Sequence, residues 1–547
     1  MPATLTYPGV YIEELSSGVH TITGVATSIA AFVGWANQGP IDEAVLVESW
    51  SDFQTQFGGF TNTTGIPNYL GYAVNQFFGN GGQQAYIIRL AWNPGPTTYP
   101  TTGANSGLLP CATANSAASS PPDSAGICNA TLYAANPGLW GNSLVVQVTV
   151  PPTSPPASRF SVQVQLVAPN GTVQVLENFA NLSASPIDPL YVVTVLNNDS
   201  QYVTFINPNN PTAAITLSGA PVSDSITFSG GADGATLVPA DGNFEIALGP
   251  DTSPTSTNHF GLRLLDRVDI FNLLCVPGET DAATVSALQH YCTNVRAFYI
   301  VDCPQTATTA GLNGTGPVGT SDTGGLLTGQ YSPNSAFYYP WILAPDPLVG
   351  NRPTLFPPCG FVAGIYAGTD ASRGVWKAPA GIDASLTGVA GLQYNLTDLE
   401  NGDLNIQAIN CFRQFRVYGD VVWGARTLQG NDQAGSQWKY VPIRRLALFL
   451  ESSLYDGTQW VVFEPNDETL WGQIRLNVGS FMQGLFLQGA FQGSTPQLAY
   501  FVKCDSENNP QSSIDQGIVN ILVGFAPLYP AEFVVIQIQQ MAGQTQS

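Results

Sequence analysis

Three histidines, His20, His259 and His290, are the side chains of this sequence best suited to moving protons near neutral pH. A catalytic base or a zinc site would need them at paired spacing, or beside a Ser or Cys nucleophile. None of the three meets either condition. His290 and Cys292, with Cys303 downstream, can be written as a metal set, but as ordinary packed residues they need no metal. The run GTGPVG at 314–319 matches G-x-G-x-x-G in form. Phosphate binding would require a helix opening directly behind it, whereas TSDTGG follows at 320–325, so a surface loop is expected. Gly319, Thr320 and Ser321 could begin a serine nucleophile motif, yet Asp322 follows and no His is adjacent; a triad is a matter of geometry. The acidic residues are dispersed, with no pair whose surroundings would split their pKa values. These residues predict no enzyme, no metal and no cofactor.

Composition narrows the classes further. Of 547 residues, 44% are hydrophobic, including 27 Phe, 21 Tyr and 10 Trp, enough for several buried cores and roughly two to four domains. Asp, Glu, Lys and Arg together reach only 10%, against roughly 25% in ordinary soluble domains. Burying unpaired charge is costly, so such a surface suits a subunit covered by neighbours; a neutral secreted surface fits as well. The net charge of −22 and pI near 4.2 disfavour nucleic-acid binding and predict partners with a positive face. The opening MPATLTYPGVYIEEL has neither a basic nor an apolar signal region, and no apolar run approaches the roughly 18–20 residues of a membrane span, so neither export nor membrane insertion is expected. Eight scattered cysteines without C-x-x-C pairs read as reduced, mostly buried thiols of a chain made in the cytosol.

The hydrophobic pattern supplies the elements. An extended arm carries Val10 and Ile12 and leads to a β-prone run at 28–35. Helices are predicted over 49–57, ending at Gly58, and over 68–78, with a buried strand at 85–90. Residues 93–126 are rich in Pro, Ser, Thr and Gly and mark a boundary. Alternating segments at 144–150, 161–166 and 191–196 make a β-rich insertion. An α/β layer follows: strand 273–276, helix 281–294, strand 297–301. Helical spacing returns at 404–415, 443–454 and 467–486, strands are expected at 460–463 and 497–503, and the chain closes in a β tail, 518–525 and 533–538.

Several strings together resemble the contractile tail sheath family of phages and bacterial contractile injection systems. They begin with YPGVYIE at 7–13, FFGNGG at 77–82 and NPGLWGN at 136–142. More specific are VDIFNLLCVPG at 268–278, RAFYIVD at 296–302, PPCGFVAG at 357–364 and RGVWKAPAG at 373–381. VWGART at 422–427, VFEPN at 462–466, Leu470 with Trp471, FVKCD at 501–505, Ala526 with Pro527, and PAEFV at 530–534 continue the series over nearly the whole chain.

The resemblance implies an α/β multidomain protein with a subtilisin-like α/β layer lacking catalytic residues, a β-rich inserted outer domain and extended N- and C-terminal β arms. Expected boundaries are 1–25 for the N-terminal arm, 26–100 for the first part of the sheath core and 101–255 for the outer insertion. The subtilisin-like layer takes 256–400, a tube-facing C-terminal domain 401–515 and the C-terminal arm 516–547. It further implies a structural subunit that polymerises as a helical stack of hexameric rings around an inner tube protein, with baseplate and tail terminator or cap proteins, and that contracts to drive the tube through a target envelope. Tyr7, Pro8, Gly9, Val10 and Ile12 at one end, and Phe533, Val534, Val535, Ile536 and Ile538 at the other, are expected to add strands to neighbouring subunits. Either terminus could instead complete its own subunit's sheet. The competing classes are a non-contractile tail tube or decoration protein, and a secreted β-rich hydrolase or carbohydrate-binding protein.

Overall fold

The computed structural model describes residues 20–537, except 64–65, 92–112, 115–129, 153–158, 208–211, 213, 216, 218–220, 235, 250–259, 316–331 and 433–434. The chain forms two compact units: residues 28–368 with 379–439, and residues up to 27 with 369–378 and the segment from 440 onward. Both are mixed α/β structures.

The larger unit is built on strands β1 (Ala30–Trp35), β2 (Val45–Val47) and β3 (Ala85–Leu90), with helices α1 (Trp50–Phe57) and α2 (Tyr69–Gly79) between them. Ser49 caps α1 by accepting the Asp52 N–H, and Gly58 ends it at φ +84°, a backbone state that favours glycine. The chain then leaves for an inserted antiparallel sheet: β4 (Leu144–Thr149), β5 (Phe160–Val167), β6 (Val173–Leu182), helix α3 (Val192–Asp199) and β7 (Asp224–Thr227), with strand order β6-β5-β4-β7. Val146, Val148, Val162 and Val164 alternate inward and are fully buried. The main sheet resumes with β8 (Leu273–Cys275), helix α4 (Ala282–Asn294), β9 (Phe298–Asp302) and β10 (Ser335–Tyr339). Helix α5 (Asp398–Ile406), β11 (Ile409–Phe415) and β12 (Gly419–Val422) complete it.

The order across the eight strands is β2-β3-β1-β8-β9-β10-β11-β12, with the central neighbours β3 to β11 all parallel. Ala31, Val33, Leu274, Tyr299 and Phe337 pack in one core. Phe32 points the other way and meets Phe77 of α2 edge-on. Burial on both faces explains why these strands read as continuous apolar runs. On the helix beginning at Cys359, Gly360 sits so close to Ala73 that a Cβ would come within 2.4 Å of its carbonyl oxygen.

In the larger unit two segments differ from the pattern reading. Residues 191–196 form the start of α3, not a strand, because Val192, Val193 and Leu196 are the buried set and their spacing is helical. The helical spacing assigned to 404–415 belongs to two elements: α5 stops at Ile406, Ala408 adopts φ +66°, and β11 begins. A non-glycine in the left-handed region is uncommon, so nothing in the composition marks this break.

The second unit contains α6 (Val441–Gly457), α7 (Glu468–Leu487) and the strands β13 (Tyr500–Lys503) and β14 (Leu522–Phe525). Leu446 and Leu450 of α6 pack with Trp471, Ile474, Val478 and Met482 of α7. Arg445 and Asp370, each 3% exposed, form a two-pronged ion pair at 2.9 and 2.6 Å, and Arg445 also donates to the Thr27 carbonyl. Among the described residues no helix is long and apolar enough to cross a membrane.

Candidate assembly surface

The chemistry-bearing residues are scattered. The His20 ring stacks on Trp460 at 4.2 Å, and its backbone N–H donates to Asn477 Oδ1. His290 sits half-buried on α4, and His259 lies outside the described residues. Cys292 and Cys303 are fully buried, and desolvation pushes both thiols up, away from the reactive thiolate. Gly314 and Thr315 end a short helix, Thr309–Thr315; Gly316–Gly319 and the Thr320–Asp322 stretch lie outside the described residues. Among the described residues no group of three or more His, Cys, Asp or Glu is placed to hold a metal ion.

Two buried carboxylates escaped the sequence reading. Glu279 accepts the backbone N–H of Ala240 at 3.1 Å and of Asp281 at 2.7 Å. Asp302, at the end of β9, accepts those of Gly278 at 2.9 Å and Cys359 at 2.7 Å. Burial pushes Glu279 up to about 7 and Asp302 up to about 6, against the lowering pull of these hydrogen bonds. Three of these donors, Ala240, Gly278 and Cys359, come from distant turns, which residue spacing does not reveal.

The exposed apolar surface of the second unit is more coherent. Strands β13 and β14 pair antiparallel, Tyr500 with Phe525 through Lys503 with Leu522, and make a sheet of only two strands among the described residues. Such a pair is marginal without further strands or a packed helix. Its inner residues Tyr500, Val502, Val523 and Phe525 pack against the α7 core, whereas Phe501 and Leu522 are exposed. After a bridge between Pro527 and Phe491, the chain is anchored once more: the Tyr440 hydroxyl donates to Glu532 at 3.0 Å and its ring meets Tyr529 edge-on. Beyond this anchor Phe533, Val534, Val535 and Ile536 run without secondary structure, 73–81% exposed. Among the described residues neither face of this segment is covered. Ile538 and the N-terminal residues Tyr7, Pro8, Gly9, Val10 and Ile12 lie outside the described residues.

Residues 460–463, expected as a strand, instead form a 3-10 turn (Gln459–Val461), closed by the Val461 and Val462 N–H groups on Thr458 and Gln459. Phe463 follows at φ +72° with its side chain wholly exposed, an apolar knob that β-propensity concealed.

Residues 267–428 match the phage tail sheath protein central domain, and residues 433–541 the phage tail sheath C-terminal domain. The chain belongs to the contractile tail sheath family. A tail sheath protein of Vibrio phage KVP40 is 28% identical over 168 residues, 30% of this chain and 24% of that one. A protein of Pseudomonas aeruginosa (strain UCBPP-PA14), named for the major tail sheath of a prophage, is 25% identical over 283 residues, 49% of this chain and 66% of that one. The chain thus spans less than two thirds of either curated relative. In fold it is similar to the sheath of an extracellular contractile injection system, the PVC complex in its contracted state (TM-score 0.55, 22% identity, 98% of this chain and 99% of that one). It is likewise similar to a sheath tail protein of Listeria innocua (TM-score 0.57, 13% identity, 93% and 96%).

Proposed function

We propose that this chain is the sheath subunit of a contractile phage tail or tail-like injection particle, a structural protein that works without catalysis or cofactor. Subunits would stack as hexameric rings around an inner tube protein, from a baseplate to a terminator or cap, and contraction would drive the tube through a target envelope. The observation that carries this reading is that, among the described residues, the β13–β14 sheet has two strands and the apolar segment Phe533–Ile536 beside its anchor at Glu532 is exposed and outside any sheet. An open sheet and a free β-prone strand on one molecule make a heterologous contact, and repetition along an axis builds a helical polymer.

The remaining assignments follow that scheme. Of the expected arms 1–25 and 516–547, Ile22 and β14 pack in their own unit, so the exchanged parts would be residues 1–19 and the segment from 533 onward; 26–100 and 256–400 would be the core with its subtilisin-like layer, 101–255 the outward insertion and 401–515 the part nearest the tube. Helix α7 is the favoured tube contact. Its two charged residues, Glu468 and Arg475, pair with each other at 2.6 Å, leaving Leu476 and Leu487 exposed on an otherwise neutral helix. Energy for contraction would come from the difference between two sets of subunit contacts established at assembly.

Negative-stain electron microscopy of the chain expressed alone tests the proposal. Hollow tubes with helical order are expected. A monomer that persists at high concentration, and still fails to polymerise when the particle's inner tube is added, would refute it. Particles of equal length before and after triggering would mark a non-contractile tube or decoration protein instead.

A further inference from the structure

Two of the strings that carry the family resemblance, RGVWKAPAG at 373–381 and VFEPN at 462–466, play no part in the assembly reading, and the second unit contains residues of both. Arg373, Val375 and Trp376 line a groove in that unit together with Phe449 of α6. Its volume is about 520 Å3; sites of roughly 300–1,000 Å3 take a drug-sized molecule, so an aromatic side chain and its neighbours have room. Trp376 and Phe449 both pack against the core of Leu446 and Trp471, which holds them in place. Gly374 sits at φ +87°, and a Cβ there would lie 2.5 Å from the Trp376 ring, so this approach needs glycine. Asp370 also lines the groove, but both its oxygens accept from Arg445. The exposed Arg373 is therefore the charge that the lining presents.

The turn at 462–466 has the opposite shape and the opposite charge. On one side the Val462 N–H donates to Gln459 and the Glu464 N–H to Val461, each at 3.2 Å. On the other, Asn466 donates to the Ile518 carbonyl at 3.0 Å and accepts from Trp471 Nε1 at 2.9 Å. Between these anchors Phe463 is held at φ +72°, a state rare for a bulky residue that persists only where its surroundings determine it. Its side chain is wholly exposed, so it is not seated in the groove of its own subunit. Glu464 beside it is exposed as well, and its carboxylate has no partner among the described residues. A rigid, solvent-facing aromatic is a cost to the lone subunit, and a pre-ordered one loses little freedom on docking.

Phe463 requires an apolar socket and Glu464 a cation, and the groove supplies Val375, Trp376 and Phe449 with Arg373. We propose that the Val462–Glu464 turn of one copy docks in this groove of a second copy, Phe463 on the aromatic wall and Glu464 against Arg373. Knob and groove are different surfaces of one chain, so the contact is heterologous and leaves one of each free at the ends, the condition for an open polymer. The inference rests on the reading that copies of this chain assemble, and it adds a side-chain contact separate from the terminal strands.

Pelleting and sedimentation velocity of the full chain over a range of concentrations, with the inner tube added if the chain alone stays monomeric, test it. Phe463→Gly removes the knob and suits a positive φ. It should not lower the melting temperature, and it should raise the concentration needed for assembly about ten-fold or more. Glu464→Arg should weaken assembly in the same direction, and adding Arg373→Glu to that chain should restore it to within about three-fold of wild type. Normal assembly of Phe463→Gly would overturn the inference and leave the sheath reading standing, whereas a wild-type chain that never assembles removes both. A folded charge swap that restores nothing would also overturn it; should Arg373→Glu unfold, Phe463→Gly decides. If the chain's own residues 1–19 filled the groove instead, their deletion would lower the melting temperature and Phe463→Gly would assemble as wild type.

Discussion

Glu279 and Asp302 are carboxyl groups buried without a cation partner among the described residues, held by backbone N–H groups and, at Asp302, by the Cys359 thiol as well. Their folded-state pKa values of about 7 and about 6 lie above the ordinary carboxylate range. The folded state therefore holds these protons more tightly than the unfolded chain. Their stabilising contribution is complete below about pH 4 and is lost as pH rises through 6 and 7. For Glu279 the full loss is on the order of 3 kcal/mol. Urea unfolding should show the midpoint falling between pH 5 and pH 8, and Glu279→Gln should flatten that slope while lowering stability at pH 5, since its amide nitrogen cannot accept the second N–H. A wild-type midpoint constant across this window would sink the assignment. None of this was legible in the sequence, because Glu279 reads as a polar residue in a Pro-Gly turn and its donor Ala240 lies at the far end of the insertion. The apolar run Phe533–Ile536 reads as a strand in the sequence, yet it adopts no secondary structure here, because a strand needs an edge to pair with.

At the scale of elements, legibility followed the strength of the local signal. Helix α1 was readable from Ser49 and Gly58, whose capping chemistry is independent of the rest of the fold. The segment at 191–196 was not, since six residues, four of them β-branched, fit either period and burial against Leu182 and Phe205 selects the helix. Helix α7 was readable throughout, yet it contains glycines that its fold does not require. A Cβ at Gly479 or Gly484 would meet nothing within 4 Å. Glycine within a helix costs about 1 kcal/mol relative to alanine, so these positions sacrifice subunit stability for space on the exposed side. Gly484→Ala should accordingly raise the thermal midpoint of the isolated subunit, by an amount corresponding to about 1 kcal/mol, and should weaken co-sedimentation with the inner tube. A variant that is more stable and binds the tube normally would remove α7 from the contact.

For the whole molecule the question is where the open edges go. Only 10% of the chain is charged, and the second unit leaves Phe463, Phe501, Leu522 and the 533–536 segment facing solvent. A monomer with that surface is a poor end state, since an uncovered strand edge invites pairing with another chain. The two possible partners for the C-terminal segment make opposite predictions for one truncation. None of Phe533–Ile536 belongs to the core of Leu446, Trp471, Ile474 and Met482, so among the described residues deletion of the chain from 533 onward removes no packed side chain of that core. If the segment pairs with a neighbour's β13–β14 sheet, the truncated chain should melt within about 2 °C of the full chain, since about 1 kcal/mol moves the midpoint of even a 150–250-residue domain by only 2–4 °C, and should sediment as a monomer under conditions where the full chain forms tubes. If it folds back onto its own subunit, the same deletion should lower the melting temperature by several degrees and leave polymerisation intact. The N-terminal arm can be tested in the same way by deleting residues 1–19, since Ile22 belongs to the core of the second unit and His20 and Val25 bond to Asn477 and Ser453; at roughly 3.3 Å per extended residue such an arm reaches up to ~60 Å, far enough to leave its own subunit. Loss of polymer from both truncations, with both melting points retained, would mean that the connection between subunits is made of strands and that either end alone is insufficient to hold the sleeve together.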